Sequence, residues 1–112
     1  MEIISKRLER VDLIKVQGRV DQNNSPELEQ ALRSILDDGR HNIVVDMSEV
    51  SYISSAGLKT LQAAARSARE ALLGGDLRVA ALPSHVKDIF DTIGFTQLFK
   101  VYADPLEAVG SF

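Results

Sequence analysis

The chain has 112 residues and a mass of 12.3 kDa, with 13 Lys+Arg against 16 Asp+Glu, a net charge of −3, and no cysteine or tryptophan. That length fits one domain over residues 1–112, at roughly 100–200 residues per domain. The lack of cysteine excludes disulfides, thiolate metal sites and cysteine nucleophiles, and the acidic balance argues against nucleic-acid binding, which needs excess Lys and Arg.

Membrane insertion is also disfavoured. The longest unbroken apolar stretch is Val79-Ala80-Ala81-Leu82, far short of the ~20 residues a spanning helix needs. Glu2, Lys6, Arg7, Glu9, Arg10, Asp12 and Lys15 interrupt the opening stretch, where a signal peptide would be continuously apolar. The expectation is a cytoplasmic globular domain. Size scaling gives it a folded surface of roughly 6,100 Å².

Ile3, Ile4 and Leu8 begin a strand, and the polar stretch Glu9-Arg10-Val11-Asp12 reads as a turn. Ile14, Val16, Gly18 and Val20 then alternate, which places one face of a second strand on a core. Asp21 to Pro26 is a loop that launches a helix over 25–38. Ser25 suits its N-cap, Pro26 its first position, and Glu27 and Glu29 complement the positive helix end. Leu28, Ala31, Leu32, Ile35 and Leu36 recur at helical spacing, and Gly39 suits the stop.

Asn42 to Asp46 carries the run Ile43-Val44-Val45. A β-branched run without alternation fits a central strand buried on both faces. After a polar loop, Leu58, Leu61, Ala65, Ala68 and Leu72 predict an amphipathic helix over 55–73, ended by Gly74-Gly75. Leu77 to Leu82 reads as a strand, and Pro83-Ser84 opens a helix over 84–93 that stops at Gly94. Leu98 to Tyr102 reads as a short strand and 104–109 as a last helix. The order is β-β-α-β-α-β-α-β-α, an α/β fold with a mixed sheet of four to five strands.

Ligands of open α/β sheets gather at the carboxyl ends of the strands. Three loops meet there: Arg19 to Ser25, Ser48 to Ser55, and Leu82 to Ser84. Asp21, Asn23, Asn24, Ser54 and Ser55 would share that edge, with Gly57, Lys59 and Gln62 at the start of the long helix. Ser and Asn are also preferred helix caps, so capping is the plainer reading of the same residues. A Ser55-His85-Asp21 triad exists on paper but lacks the Gly-x-Ser-x-Gly elbow, which argues against an enzyme. His41 and His85 have no metal-like spacing, no phosphate-binding glycine loop occurs, and Arg66 and Arg69 read as solvated. No cofactor is expected.

The stretch Val45-Asp46-Met47-Ser48-Glu49-Val50-Ser51-Tyr52-Ile53-Ser54-Ser55-Ala56-Gly57-Leu58 resembles the signature of STAS domains, the sulfate transporter and anti-sigma factor antagonist family. Gly18-Arg19-Val20-Asp21 is similar to the family's glycine-x-apolar-aspartate. Val86, Ile89-Phe90, Gly94-Phe95 and Leu98-Phe99 are similar to its carboxyl-terminal pattern. The resemblance implies a STAS fold and a bacterial anti-sigma factor antagonist in a partner-switching pathway of transcription regulation. Its partner would be an anti-sigma factor that is also a serine kinase with a histidine-kinase-like ATPase fold. Phosphorylation would turn binding off, and a phosphatase would restore it.

The position of the family's phosphoacceptor is Ser55. Ser54 stands where the family usually has aspartate, and Ala56 where it usually has a second Ser or Thr. Ser54 is therefore a rival acceptor. Asp21, Asn23, Asn24, Ser54, Ser55, Gly57 and Lys59 form the expected partner surface. The alternative implied is a non-phosphorylated STAS adaptor subunit, for example of a lipid transporter.

Overall fold

The strands align in sequence order, β1 (Glu2–Arg7), β2 (Asp12–Val20), β3 (Asn42–Ile53), β4 (Asp76–Ala80) and β5 (Val101–Tyr102). The computed structural model describes residues 1–112. β1 and β2 pair antiparallel and the remaining pairs are parallel. Between the strands lie α1 (Ser25–Asp37), α2 (Ser55–Arg69), α3 (Ser84–Ile93) and α4 (Phe95–Leu98), and α5 (Pro105–Gly110) closes the chain. No helix is long and apolar enough to cross a membrane.

Each crossover steps to the next strand in the same direction, so right-handed connections put the crossover helices on one face. Leu28, Leu32 and Ile35 of α1, Leu58 and Leu61 of α2, and Val86 and Phe90 of α3 share one core there with Ile14, Val16, Ile43, Val45, Leu77 and Val79. Val44 points the other way and joins Val11, Ala80 and Ala108 in a small cluster under α5. The run Ile43-Val44-Val45 is therefore buried on both faces. The accessible surface is 6142 Å², what size scaling expects of a self-sufficient monomer of this mass.

Several expectations need correction. β3 does not stop at Asp46 but runs to Ile53, because its second half pairs with β2 alone. Register irregularities between Lys15 and Gln17, and between Gly18 and Arg19, break the alternation there. Ser48, Glu49, Ser51 and Tyr52 consequently emerge exposed in pairs and look like a loop. The turn before β2 lies earlier than read. Leu8 N–H donates to the Val11 carbonyl at 2.9 Å, and Val11 and Asp12 are buried. The Asp12 carboxylate receives Arg40, with Arg7 at 3.8 Å.

α1 is capped by Asn24, and Ser25 is its buried first residue rather than its cap. Asp38 is the C-cap, with Gly39 following at φ 80°. α2 ends at Arg69, short of 73, leaving Leu72 and Leu73 exposed. The chain must turn there because Gly75 passes between His41 and the helix end. A Cβ on Gly75 would lie 2.5 Å from the His41 carbonyl oxygen and 2.7 Å from that of Ala68.

Arg69 is not simply solvated. Its guanidinium meets Asp76 at 2.8 Å and donates to the Leu98 carbonyl at 2.7 Å. β4 ends at Ala80 rather than Leu82, since Ala81 takes a φ of 56°. α4 takes the place of the expected start of β5, which keeps only Val101–Tyr102. After Gly94 reverses the chain at φ 83°, Phe95 and Phe99 fold back on Phe90, with ring centroids 5.5 and 6.0 Å away. That cluster favours a helical turn over an extended segment.

Candidate functional site

Where the pairing of β2 with β3 ends at Val20 and Ile53, Ser54 N–H donates to the Val20 carbonyl at 2.9 Å. This bond sets the loop after β2 beside the start of α2. α2 can settle on those strand ends only because residue 57 is glycine. A Cβ there would lie 2.8 Å from Val20 Cγ1 and 2.9 Å from Ile53 Cγ1. Gly57 is thus buried beneath the site and shapes it from below.

The two adjacent serines are used differently. Ser54 is half-buried and caps α2, its Oγ accepting from Gly57 N–H at 3.3 Å. Its carbonyl takes the first helical bond, from Leu58 N–H at 3.0 Å. Ser55 is the first residue of α2, is exposed, and its hydroxyl makes no hydrogen bond within the chain. It sits at the positive end of a 15-residue helix, where an anion is favoured by the peptide dipoles and free amides.

The loop Asp21 to Asn24 is a closed hydrogen-bonded unit. Asp21 Oδ1 accepts from Asn23 N–H at 2.9 Å and Asn24 N–H at 3.0 Å. Asn24 Oδ1 accepts from Asp21 N–H at 2.8 Å, and Asn24 Nδ2 donates to the Arg19 carbonyl at 2.8 Å. Asn24 thus spends its side chain on the loop, so it gives α1 no side-chain cap. Arg19 lies 3.7 Å from Asp21 Oδ2 and stacks over the Tyr52 ring at 4.1 Å. One carboxylate oxygen holds the loop and the other faces a cation. Asn23 is exposed.

Lys59 is exposed one turn along α2. It lines a groove of about 230 Å³ between α1 and α2, with Glu29, Leu32, Arg33, Leu36 and Ala63 among its walls. Sequence reasoning missed this groove between the two helices. The available signal was the small side chains Ala63 and Ala64 on α2 opposite the leucines of α1.

His85 fastens α3 to β3. Its Nε2 donates to the Ser51 carbonyl at 2.9 Å. A carbonyl oxygen only accepts, so Nε2 carries the proton and has no free lone pair to act as a base. Nδ1 keeps its lone pair, but Asp21, which the paper triad would need to orient the ring, is occupied by its own loop. The edge brings hydroxyl, amide and charged groups together on one rim.

A family model described as STAS domain matches residues 2–108. BtrV of Bordetella bronchiseptica, a candidate anti-sigma factor antagonist, is 30% identical over 112 residues, which is 100% of this chain and 95% of that one. The crystal structure of an anti-sigma factor antagonist from Mycobacterium paratuberculosis superposes with a TM-score of 0.87 at 24% identity, covering 98% of this chain and 92% of the other. Bacillus SpoIIAA in its phosphorylated form superposes with a TM-score of 0.76 at 16% identity, covering 98% of each chain.

Proposed function

The chain belongs to the STAS domain family, and we propose that it acts as an anti-sigma factor antagonist whose binding is switched at Ser55. The observation that carries this reading is the unequal use of two neighbouring hydroxyls. Ser54 Oγ is engaged with Gly57 N–H at 3.3 Å, whereas Ser55 is exposed and unbonded at the helix start. A kinase can take the second hydroxyl without dismantling the first turn of α2.

In the unmodified state, the surface formed by Asp21, Asn23, Ser55 and Lys59 docks on an anti-sigma factor and frees the sigma factor. The anti-sigma factor is also the kinase. It transfers the γ-phosphoryl of ATP to Ser55 Oγ, the hydroxyl proton passes to a base on the kinase, and ADP leaves. Phosphoserine adds roughly −1.5 to −2 charges at pH 7. The start of α2 tolerates that charge, so the fold persists. A partner pressed against Ser55 instead meets a desolvated dianion near Asp21. A loss of a few kcal/mol, about a hundredfold or more in affinity, separates the two states. A phosphatase then hydrolyses the ester and restores binding. The chain itself catalyses nothing in this cycle.

A second reading, a non-phosphorylated adaptor subunit, draws on Ser54 standing where the family usually has aspartate. Serine and aspartate are comparable helix caps, so the exchange keeps the turn and removes one charge beside the acceptor. That charge bears on which kinase recognises the site rather than on whether Ser55 is accessible.

The test is incubation of the chain with its cognate kinase and ATP, followed by site mapping by mass spectrometry. Phosphate on Ser55, absent from Ser55→Ala, is the expected result. Phosphate on Ser54 alone reassigns the acceptor, and none on either serine favours the adaptor.

A further inference from the structure

β1 is an edge strand. It pairs with β2 on one side and with nothing on the other. Which backbone groups face the open side follows from one bond. Leu8 N–H donates to the Val11 carbonyl, in the same register that pairs Lys6 with Leu13 and Ile4 with Lys15. Hydrogen-bonded pairs alternate along an antiparallel ladder. Glu2, Ile4 and Lys6 therefore turn their backbone groups to β2, and Ile3, Ser5 and Arg7 present theirs at the free edge.

The side chains alternate too. Ile3 packs on the main core and Arg7 reaches Asp38 at the end of α1. Glu2, Ile4 and Lys6 lie together on the opposite face. α5 packs on β3, β4 and β5 and leaves that part of the sheet open. Ile4 is 52% exposed, and Glu2 and Lys6 are exposed as well. Neither charge takes part in an ion pair within the chain.

We propose that β1 is a docking edge for a second copy of the same chain. The two β1 strands pair antiparallel about a two-fold axis at Ile4 and join the sheets into one. In that register Ile3 and Ser5 face each other across the axis, and both have free N–H and C=O groups to exchange. Ile4 meets Ile4 of the second copy, and Glu2 meets Lys6 of the second copy on both sides of it. These are the non-hydrogen-bonded positions, where side chains approach closest.

The pattern is self-complementary in this register alone. The backbone parity permits shifts of two residues, and either shift sets a charge opposite Ile4. Lysine on an edge strand ordinarily repels other strands. Glu2, four residues before it on the same face, turns that deterrent into a match for an identical strand. The chain closes its core as a monomer, so the contact is an association of folded copies. A single strand pair is a small interface, in the class of weak, concentration-dependent contacts.

Sedimentation equilibrium of the purified chain, from about 10 μM to about 1 mM, tests this across the range of weak association. The expected result is a mass rising from 12.3 kDa toward the dimer. Ser5→Pro removes an N–H that faces away from β2, which an edge strand tolerates, and should leave a monomer. Glu2→Lys and Lys6→Glu should each weaken association about tenfold, whereas the double exchange should restore it to within about threefold. A wild-type chain that stays monomeric at the top concentration overturns the proposal. So does association that ignores Ser5→Pro, or a double exchange that fails to restore what the single ones removed.

Discussion

Ser54 N–H donates to the Val20 carbonyl at 2.9 Å, and this bond joins the ends of the two strands on which the candidate site stands. It places the Asp21 loop and the start of α2 on one rim. It also holds Ser54 in the extended conformation, φ −83° and ψ 169°, that an N-cap requires. The following residue, Ser55, is then the first whose hydroxyl is free.

The two serines should separate in a melting experiment. Ser54→Ala removes the cap of α2 and should cost about 1 kcal/mol, near 4 °C in the thermal midpoint. Ser55→Ala removes an unbonded, exposed hydroxyl and should leave the midpoint within about 1 °C, since alanine is the best helix former. Differential scanning calorimetry reads both. Equal losses from the two substitutions would mean that the division of labour is wrong.

Ser55→Asp should weaken binding to the anti-sigma factor while the fold melts normally. One carboxylate carries less charge than a phosphate, so the loss should fall short of that from full phosphorylation. Titration calorimetry with the partner measures it, and an affinity equal to wild type would remove Ser55 from the interface.

Gly57→Ala should destabilise the chain by about 1–3 kcal/mol. The added methyl would meet Val20 and Ile53 inside 3 Å, and both belong to the packed core. A denaturant midpoint unchanged from wild type would show that α2 can lift off the strand ends at no cost.

Asp21 has two jobs that two substitutions can separate. Asp21→Asn keeps an oxygen able to accept from Asn23 and Asn24 N–H while losing the charge that faces Arg19. Asp21→Ala loses both. If the loop's shape is what a partner reads, Asn should bind nearly as well as wild type and Ala should not. If the charge matters, both should bind poorly. Partner affinity alongside amide exchange at Asn23 and Asn24 distinguishes the cases.

Two exposed ion pairs govern the expected pH response. Hydrogen bonds from Lys15 and from Gln17 hold the Glu49 carboxyl below its ordinary range, and a hydrogen bond from Arg7 does the same for Asp38. A depressed carboxyl contributes its stability above the unfolded pKa, near 4, and loses it as pH falls through the folded value. Lys15 and Arg7 are raised by the same bonds. Their share is present below the unfolded pKa, above about 10, and is lost as pH climbs through the folded one. Stability should therefore be flat from about pH 5 to about pH 9 and decline in acid. Glu49→Gln should shrink the acid decline modestly, and less so at high salt because the pair is exposed. Thermal melts of both proteins from pH 7 down to pH 3 make the comparison.

Features governed by a few neighbouring residues were legible in the amino-acid sequence. The run Ile43-Val44-Val45 marked a strand buried on both faces. Ser54-Ser55 marked a helix start, Gly94 a helix stop, and the element order implied the mixed sheet. Capping, periodicity and turn preferences act within about one helical turn or one strand, so the sequence carries them directly.

Tertiary structure decided what depends on residues far apart in the chain. Bulges in the β2–β3 register hid the second half of β3 behind an irregular polar pattern. The carbonyl of Val20 took the Ser54 backbone N–H, which set Ser54 at the cap of α2 and Ser55 at its first position. Asp76 and Leu98 claimed Arg69, which spacing alone had left to solvent. Asn24, a good cap by type, turned back to Asp21 and Arg19 because the loop offered closer partners. A hydrogen bond between residues some thirty positions apart leaves no periodicity behind. Only the folded chain shows which groups it joins.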